Sequence, residues 1–496
     1  MKNYIILFPL IFIFFLPLTF VLFQVANGLT QSSLEYFTTS QFSHKLFNSI
    51  VLSLGVSISS LFFALISTIT FFSSPQRWTR EILSLLLFMF FFISPIIYLT
   101  ALSKLTWFNH LSTYTQSLSV LTIKFFPLVS MILILSLVKI ESNSIRVALM
   151  ITSSKNVFKY IVIPQLYKPL ITAFLIVFML TFIHQEVPSF LGYRTYAEEF
   201  LSRIVVMDNI GEISFMTIPF VLLSFLILGI LTQILNKQLT SNSKSSFLLF
   251  QNFQKYTFPV IITFSALFLF LNALLVEELF QINIKTLFID NFSVLKNSFI
   301  ISFFTGLLGS FFSLLVYRFI YSNNSKYIKS GLILFMLLYW LLPSSLSSLG
   351  LIELSIYLND YSKSIGYILL IFAYLLKIVP IALLFLISFE LMHSPDMFLK
   401  LQNINTVNIF KHITVPTSWT TWFTLTIVLT VFSLNELSST VLLIPPGEET
   451  LIIKIYNLMH YGDFASVSFL SLIQMSLILL STLLIGFLLR SKYDYA

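Results

Sequence analysis

Four ionisable residues stand inside long apolar stretches of the chain and recur at nearly one spacing. Lys124 and Lys377 each precede a proline by three positions, and they lie 253 positions apart. Glu186 and Glu436 each end an apolar run, and they lie 250 positions apart. Because a charged side chain within a bilayer is costly, ionisable residues in such runs are candidates for a functional site.

Each pair allows two interpretations. Glu186 and Glu436 together are able to attract a cation or to gate a pathway, or each is a helix-end carboxylate in the outer headgroup region. Lys124 and Lys377 either snorkel to the outer membrane interface or pair with the two glutamates. The substrate-pathway candidates therefore begin with these four residues.

Two prolines complete the candidate pathway, and no metal site is predicted. Pro95 and Pro343 lie in equivalent apolar runs, where proline is expected to kink a helix; simple packing is the alternative. His184 and His460 lack the paired spacing of metal ligands, and the chain contains no Cys. No stretch reads Gly-x4-Gly-Lys-Ser/Thr, so we expect no ATP site of its own and no enzymatic activity.

The composition requires that these residues sit in a membrane. The 496 residues are 57% hydrophobic and only 10% charged, whereas soluble proteins carry about 25% charged residues. Alternating segments of about ten residues, typical of membrane barrels, are absent. The net charge of +8 includes no basic tract, so we expect membrane lipid and no nucleic acid as a partner. The predicted fold class is an all-α polytopic membrane protein.

Apolar windows of about 20 residues predict about twelve transmembrane helices. They lie at 4–25, 47–72, 82–101, 118–138, 170–185, 216–235, 258–276, 297–319, 331–350, 365–390, 418–435 and 467–489. We expect the first to be a retained helix rather than a cleaved signal peptide. Loops predicted to be on the inner side hold 18 of the 28 Lys and Arg residues. This bias places both termini in the cytoplasm, in a multi-pass protein of the cytoplasmic (inner) membrane.

An internal repeat divides the chain into two halves. A polar stretch gives a cytoplasmic linker at 241–256, between a first half at 1–240 and a second at 257–496, each with six helices. The residues 156–164 (NVFKYIVIP) match 408–416 (NIFKHITVP) at five of nine positions. Six spans in each half give both halves the same orientation, so the repeat is parallel.

The repeated motif ends the longest inner loop of each half, at 139–169 and 391–417. Each loop combines a short apolar face with flanking Lys, which suits docking into a partner protein; lying on the membrane surface is the alternative. The terminal proline then redirects the chain into the fifth span. The candidate docking residues are Lys155, Asn156, Phe158, Lys159, Ile161, Pro164, Asn403, Asn408, Phe410, Lys411, Ile413 and Pro416.

These loops resemble the EAA loop of the permease subunits of ATP-binding-cassette (ABC) importers. Phe158 and Phe410 fall where that family has an aromatic residue, and Pro164 and Pro416 match its terminal proline. The start departs from the family pattern. The Glu-Ala-Ala positions fall on 145–147 and 397–399, and the glycine position falls on Ile151 and on Asn403, which tolerates positive φ. The resemblance implies a type I importer permease fold whose loops couple to ATPase subunits.

The stretch 435–462 resembles the fused two-half permeases of iron(III)-type importers. That resemblance implies two ABC ATPase domains at the cytoplasmic face, which bind ATP and magnesium, and an extracytoplasmic solute-binding protein that delivers substrate. The expected function is import of a substrate, with iron(III) preferred and phosphonate, thiamine or polyamine as alternatives.

Two other classes compete with this interpretation. An ion-gradient-driven secondary transporter with twelve helices would carry an acidic-and-basic signature between its second and third spans, where this chain reads SSPQRWTR at 73–80. A membrane enzyme would need a catalytic cluster in the outer loops 26–46 and 193–215, where the charges are scattered.

Overall fold

Helices are the only regular secondary structure in the residues that the computed structural model describes. These are 2–27, 37, 39–138, 147–148, 150–157, 159–160, 163–206, 210–235, 254–281, 283–322, 326–358, 362–390 and 415–493. The first twelve helices are α1 (Lys2–Asn27), α2 (Ser40–Ser73), α3 (Arg77–Phe92), α4 (Pro95–Ser103), α5 (Thr106–Asn109), α6 (Thr113–Val138), α7 (Ser154–Val157), α8 (Ile163–Phe182), α9 (Glu186–Leu191), α10 (Tyr196–Val206), α11 (Ile210–Phe215) and α12 (Ile218–Leu235).

The later helices follow in a similar order. They are α13 (Gln254–Glu277) with a 3-10 turn at Glu278–Gln281, α14 (Ile284–Ser322), α15 (Lys326–Leu341), α16 (Ser344–Leu358), α17 (Lys363–Glu390), α18 (Val415–Leu434), α19 (Ser438–Leu443), α20 (Leu451–Tyr461) and α21 (Phe464–Tyr493).

The length and composition of these helices define a multi-pass membrane protein. Within the described ranges, eight helices are long and apolar enough to cross a bilayer, or up to ten if each of two bent pairs counts as one span. Two shorter apolar helical segments lie within α1, at Phe14–Ala26, and within α18, at Trp419–Leu434. The expected count of twelve spans stays a prediction.

The two bent pairs occur at the prolines singled out above. The axes of α3 and α4 meet at 89° next to Pro95, and those of α15 and α16 meet at 94° next to Pro343. Both angles are much larger than a kink within one helix. Proline has no amide hydrogen and forces the residue before it into an extended conformation; Ser94 accordingly has ψ 139°.

Helix packing follows the same order in both parts of the chain. α2 packs against α6 and α8, and α14 packs against α17 and α18. The bent helices are contacted from the other part of the chain: α1 packs on α16, and α13 packs on α4. Likewise α12 contacts α15, and α21 contacts α3. The breaks are therefore enclosed by helices from both ends of the sequence.

Small polar side chains let these helices approach closely. Ser67 Oγ and Ser130 Oγ are 2.6 Å apart between α2 and α6, and Ser310 Oγ and Thr426 Oγ1 are 2.9 Å apart between α14 and α18. Small residues and hydroxyl hydrogen bonds are typical of helix interfaces in membranes, where lipid removes the hydrophobic advantage of larger side chains.

Candidate functional site

Lys124 holds the end of α3 where the helix breaks. Its ammonium group donates to the carbonyl of Phe91 and, at 2.8 Å, to the carbonyl of Ile93. The ammonium nitrogen also lies 5.4 Å from the centre of the Phe91 ring. Because the last carbonyls of a helix have no intrahelical donor, Lys124 satisfies two groups that the break exposes. We call Lys124 with these two carbonyls the first clamp.

Two further side chains complete the end of α3. The Tyr98 hydroxyl donates to the Phe90 carbonyl at 2.7 Å, and the Asn435 amide donates to the Phe92 carbonyl at 2.8 Å. The carbonyls of residues 90 to 93 thus each accept a side-chain hydrogen bond. Asn435 comes from the far end of the chain, and Gln474 donates to its amide oxygen at 2.7 Å.

Lys377 repeats this arrangement at the second break. Its ammonium group donates to the carbonyls of Trp340 at 3.1 Å and Leu342 at 2.9 Å. The carbonyl between them, that of Leu341, accepts from the Ser224 hydroxyl of α12 at 3.4 Å. We call Lys377 with its two carbonyls the second clamp. In each clamp the lysine takes the first and third carbonyls, and a side chain from the other part of the chain takes the middle one.

The side chain of Glu186 joins the first part of the chain to the second by hydrogen bonds. It is the first residue of α9, it is 8% exposed, and its carboxylate accepts hydrogen bonds from the Leu437 amide and the Ser438 hydroxyl at the start of α19. Beside it, the Gln185 amide oxygen lies 3.4 Å from the Ser345 hydroxyl of α16. Each fifth predicted span therefore ends against the other part of the chain.

The two glutamates and two lysines form one electrostatic group, which we call the central cluster. Glu186 interacts electrostatically with Lys124 and with Glu436, and Glu436 interacts with Lys377. Among the described residues, however, neither lysine belongs to an ion pair. The ammonium groups are directed to backbone carbonyls instead, an option that neither interpretation of the sequence included.

His184 lies close to the central cluster. It interacts electrostatically with Lys124 and Lys377, and its ring meets that of Phe125 edge-on at 6.2 Å. In the described structure its Nε2 atom is buried without a hydrogen-bond partner. The described residues contain no group of three or more His, Cys, Asp or Glu side chains able to hold a metal ion.

A cavity of about 660 Å³ opens beside the loop that joins α19 to α20. Its lining includes Asn297, Glu448 and Tyr456. Glu448 is held by the Asn297 amide at 3.0 Å and by Lys363 at 3.2 Å. The hydrogen bond from Lys363 is the main reason that the pKa of the Glu448 carboxyl lies below its ordinary value. This loop therefore carries a fixed anionic charge near neutral pH.

The segment between α6 and α8 presents apolar side chains to the surroundings. Met150 is 85% and Ile151 is 80% exposed, and Asn156 and Lys159 are exposed beside them. We call the described residues 147–148, 150–157 and 159–160 the coupling segment. Lys155 lies in its short helix α7.

The prolines of the repeated motif both stand at the second position of a helix. Pro164 follows Ile163 at the start of α8, and Pro416 follows Val415 at the start of α18. Proline is tolerated in the first helical turn because its missing amide hydrogen has no intrahelical partner there. The remaining predicted docking residues lie outside the described residues: Phe158, Ile161, Asn403, Asn408, Phe410, Lys411 and Ile413.

No family model, curated protein or solved structure matches this chain. Function is therefore argued from the geometry of the site and from the sequence patterns. Sequence reasoning brought out both lysines, both glutamates and both prolines, but it missed Asn435, Ser224 and Tyr98. Their position beside backbone carbonyls leaves no signal in a single sequence.

Proposed function

We propose that this chain is the permease subunit of an ABC importer of the cytoplasmic membrane. It consists of two fused halves of six spans, twelve in all, with both termini in the cytoplasm. Two ATPase domains supply ATP hydrolysis, and a solute-binding protein delivers the substrate from outside. Iron(III) is the preferred substrate because of the resemblance at 435–462.

The order of features in the two halves supports a fused, two-half transporter. Each half contains a bent helix pair, a lysine clamp, a fifth span that ends in a glutamate, and a short outer helix, α10 or α20. Interrupted helices at corresponding positions of two repeats are typical of the substrate-binding region in transporters. The central cluster between the halves is the proposed translocation pathway.

The coupling segment is the observation that carries the proposal of an ATPase-driven importer. The exposed Met150 and Ile151 form an apolar surface on the same short connection as Lys159, which suits a docked partner protein; contact with the membrane surface is the alternative. A docked ATPase domain would cover this surface and push on α6 and α8 as it closes. The second loop, at 391–417, would receive the other ATPase domain.

The central cluster favours a second candidate function, an ion-gradient-driven transporter. Ionisable side chains among membrane-length helices are typical of proton and ion relays, and Glu186, Glu436 and His184 lie together at the meeting of the halves. That candidate gives no role to the exposed apolar residues of the coupling segment.

Purification of the tagged chain in mild detergent tests the proposal. We expect an ATPase with a P-loop to copurify, and we expect its amount to fall at least about tenfold in the double variant Met150→Asp, Ile151→Asp, because a buried charge weakens an apolar contact.

The matched control is Val205→Asp, Val206→Asp, which places the same charges on the exposed apolar end of α10. It should leave the bound ATPase unchanged. Loss of the ATPase in both double variants, or in neither, would remove the coupling segment as the docking surface.

A further inference from the structure

The two breaks share a three-carbonyl pattern that neither the repeat nor the proposed function requires. At each break, a lysine donates to the first and third of three consecutive carbonyls, which belong to residues 91–93 or 340–342. A side chain from the opposite half donates to the middle carbonyl. We propose that Lys124 and Lys377 are positioning residues that hold the bent helix pairs in the geometry needed for transport. Asn435 ties the first of these joints to the opposite half.

The carbonyls at a break need such partners. Each broken helix ends among buried residues of the helix bundle, where a carbonyl without a donor is costly. Lysine suits this position because it offers three donors and no acceptor on a flexible stem. Its positive charge is also favourable at the negative end of a helix dipole. Methionine, a neutral side chain of similar length, supplies neither the charge nor a hydrogen-bond donor.

The geometry separates the lysines from substrate binding. Two protons of each ammonium group are directed to carbonyls of its own half, and the Lys124 charge is further covered by the Phe91 ring. Glu186, and not Lys124, contacts the opposite half, through hydrogen bonds with Leu437 and Ser438. The lysines therefore act on the pathway through the backbone of the bent helices.

The middle carbonyl reports the relative position of the two halves. Asn435 lies on α18's C-terminal side and reaches Phe92 at 2.8 Å, whereas the equivalent bond from Ser224 to Leu341 is longer, at 3.4 Å. Movement of one half against the other breaks the middle bonds but leaves the lysine bonds intact, since those lie within one half. The first joint is the more tightly tied of the two.

The experiment uses the absence of cysteine in the chain. The pair Phe92→Cys, Phe432→Cys replaces two rings whose centres are 5.3 Å apart across the halves, and it keeps the Phe92 carbonyl. A short bifunctional thiol reagent should cross-link this pair in the purified protein. We expect the yield to fall at least about fivefold with Lys124→Met and to recover with Lys124→Arg, which restores charged donors.

Lys104→Met is the matched control. Lys104 also donates to a backbone carbonyl, that of Leu274 at 2.8 Å, but it lies at the far end of α4 from the break. Its loss should leave the cross-link unchanged. An unchanged cross-link in Lys124→Met, or an equal loss in Lys104→Met, would overturn the proposal.

Amine labelling of the unaltered protein gives a second test. Because it uses no substitution, a folding defect cannot account for its result. Under native conditions Lys124 and Lys377 should react with an acylating reagent at least about tenfold more slowly than Lys159, which is exposed, because their nitrogens are hydrogen-bonded within the bundle. Comparable reaction rates would contradict the clamps.

The role in transport rests on the proposed function, and its readout is separate. Lys124→Met and Lys377→Met should each reduce the maximal uptake rate by at least about tenfold, roughly the loss of one charge-assisted hydrogen bond, with little change in the substrate concentration at half-maximal rate. Full uptake in these variants would overturn the positioning role. If cross-linking and labelling give the expected results but no ATPase copurifies, the positioning role of the lysines is supported and the importer proposal is wrong.

Discussion

At the scale of single residues, both helix breaks depend on side chains that donate hydrogen bonds to backbone carbonyls. Asn435 shows how much one amide can contribute: it donates to Phe92 in a distant part of the chain and to Val431 in the helix that precedes it, and it accepts from Gln474. Amides and hydroxyls give such bonds direction, whereas apolar contacts at the same place would allow the packed helices to slide against each other.

Replacing Asn435 with Leu should destabilise the protein. The Phe92 carbonyl is then left without its donor, which costs about 1–3 kcal/mol for a buried polar group. Thermal unfolding in detergent, followed by loss of the monodisperse peak, measures the effect. The control is Asn272→Leu, because within the described part of the chain the Asn272 amide bonds only to Phe268 in its own helix; an equal loss of stability there would argue against a special role for Asn435.

Glu199 on α10 gives a prediction about pH. Burial alone raises the pKa of its carboxyl, but hydrogen bonds from Lys45 and Arg203 outweigh burial and hold the pKa below its ordinary value of 4.5. Its nearest oxygens lie 2.6 Å from Lys45 and 3.0 Å from Arg203. A carboxyl with a lowered folded-state pKa adds stability above the unfolded pKa and loses it as pH falls through the folded pKa.

The variant Glu199→Gln should therefore unfold at a lower temperature than the unaltered protein at pH 7. The difference should shrink as the pH falls below about 4, where the wild-type carboxyl becomes protonated. Melting curves of both proteins across this range provide the measurement. A difference that stays constant with pH would mean that packing, and not charge, holds α10 on α2.

At the scale of elements, the positions of the two helix bends could be predicted from the sequence, but their angles could not. Pro95 and Pro343 predicted kinks in the right places, because proline excludes the helical conformation before it. The bends of 89° and 94° depend on donors brought from elsewhere in the fold, such as Asn435 and Ser224. Asn435 is 343 positions from Phe92 and Ser224 is 117 positions from Leu341, so no local pattern indicates these donors.

Removing a proline should not by itself straighten a bent pair. In Pro95→Ala the carbonyls of Phe91 and Ile93 keep their lysine donor, so the cross-link of the Phe92→Cys, Phe432→Cys pair should persist. The double variant Pro95→Ala, Lys124→Met removes both causes of the break. Its cross-link yield should fall further than the yields of the two single variants predict. Loss in Pro95→Ala alone would make proline, and not the clamp, the main cause of the break.

Two glycines test how the helices pack. A methyl group on Gly350 of α16 would overlap the backbone of Pro17 in α1, whereas one on Gly331 of α15 would meet nothing within 4 Å. Gly350→Ala should cost about 1–3 kcal/mol of stability through overpacking. Gly331→Ala should be neutral or stabilising by up to about 1 kcal/mol, since alanine favours helix. Thermal unfolding of both variants measures the contrast, and equal effects would mean that α1 does not pack closely on α16.

At the scale of the whole molecule, the sequence predicts a multi-pass helical membrane protein, and eight to ten helices of the described residues have the length and composition to span a bilayer; it predicts their arrangement poorly. Apolar runs and charged loops follow directly from the cost of placing polar groups in lipid, and every predicted span overlaps a helix of the structure. The exchange of contacts, in which α1 packs on α16 and α13 on α4, depends on long-range shape that apolar composition does not encode. The central cluster exists only because of that exchange.

The source of energy for transport distinguishes the proposed importer from the gradient-driven alternative. The chain, with any copurifying ATPase, is reconstituted into vesicles that contain ATP, and uptake of labelled iron(III) delivered by a solute-binding protein is measured. The account predicts uptake that requires enclosed ATP and survives an ionophore that collapses ion gradients. Uptake that ignores ATP and stops with the ionophore would contradict the account and establish a gradient-driven transporter.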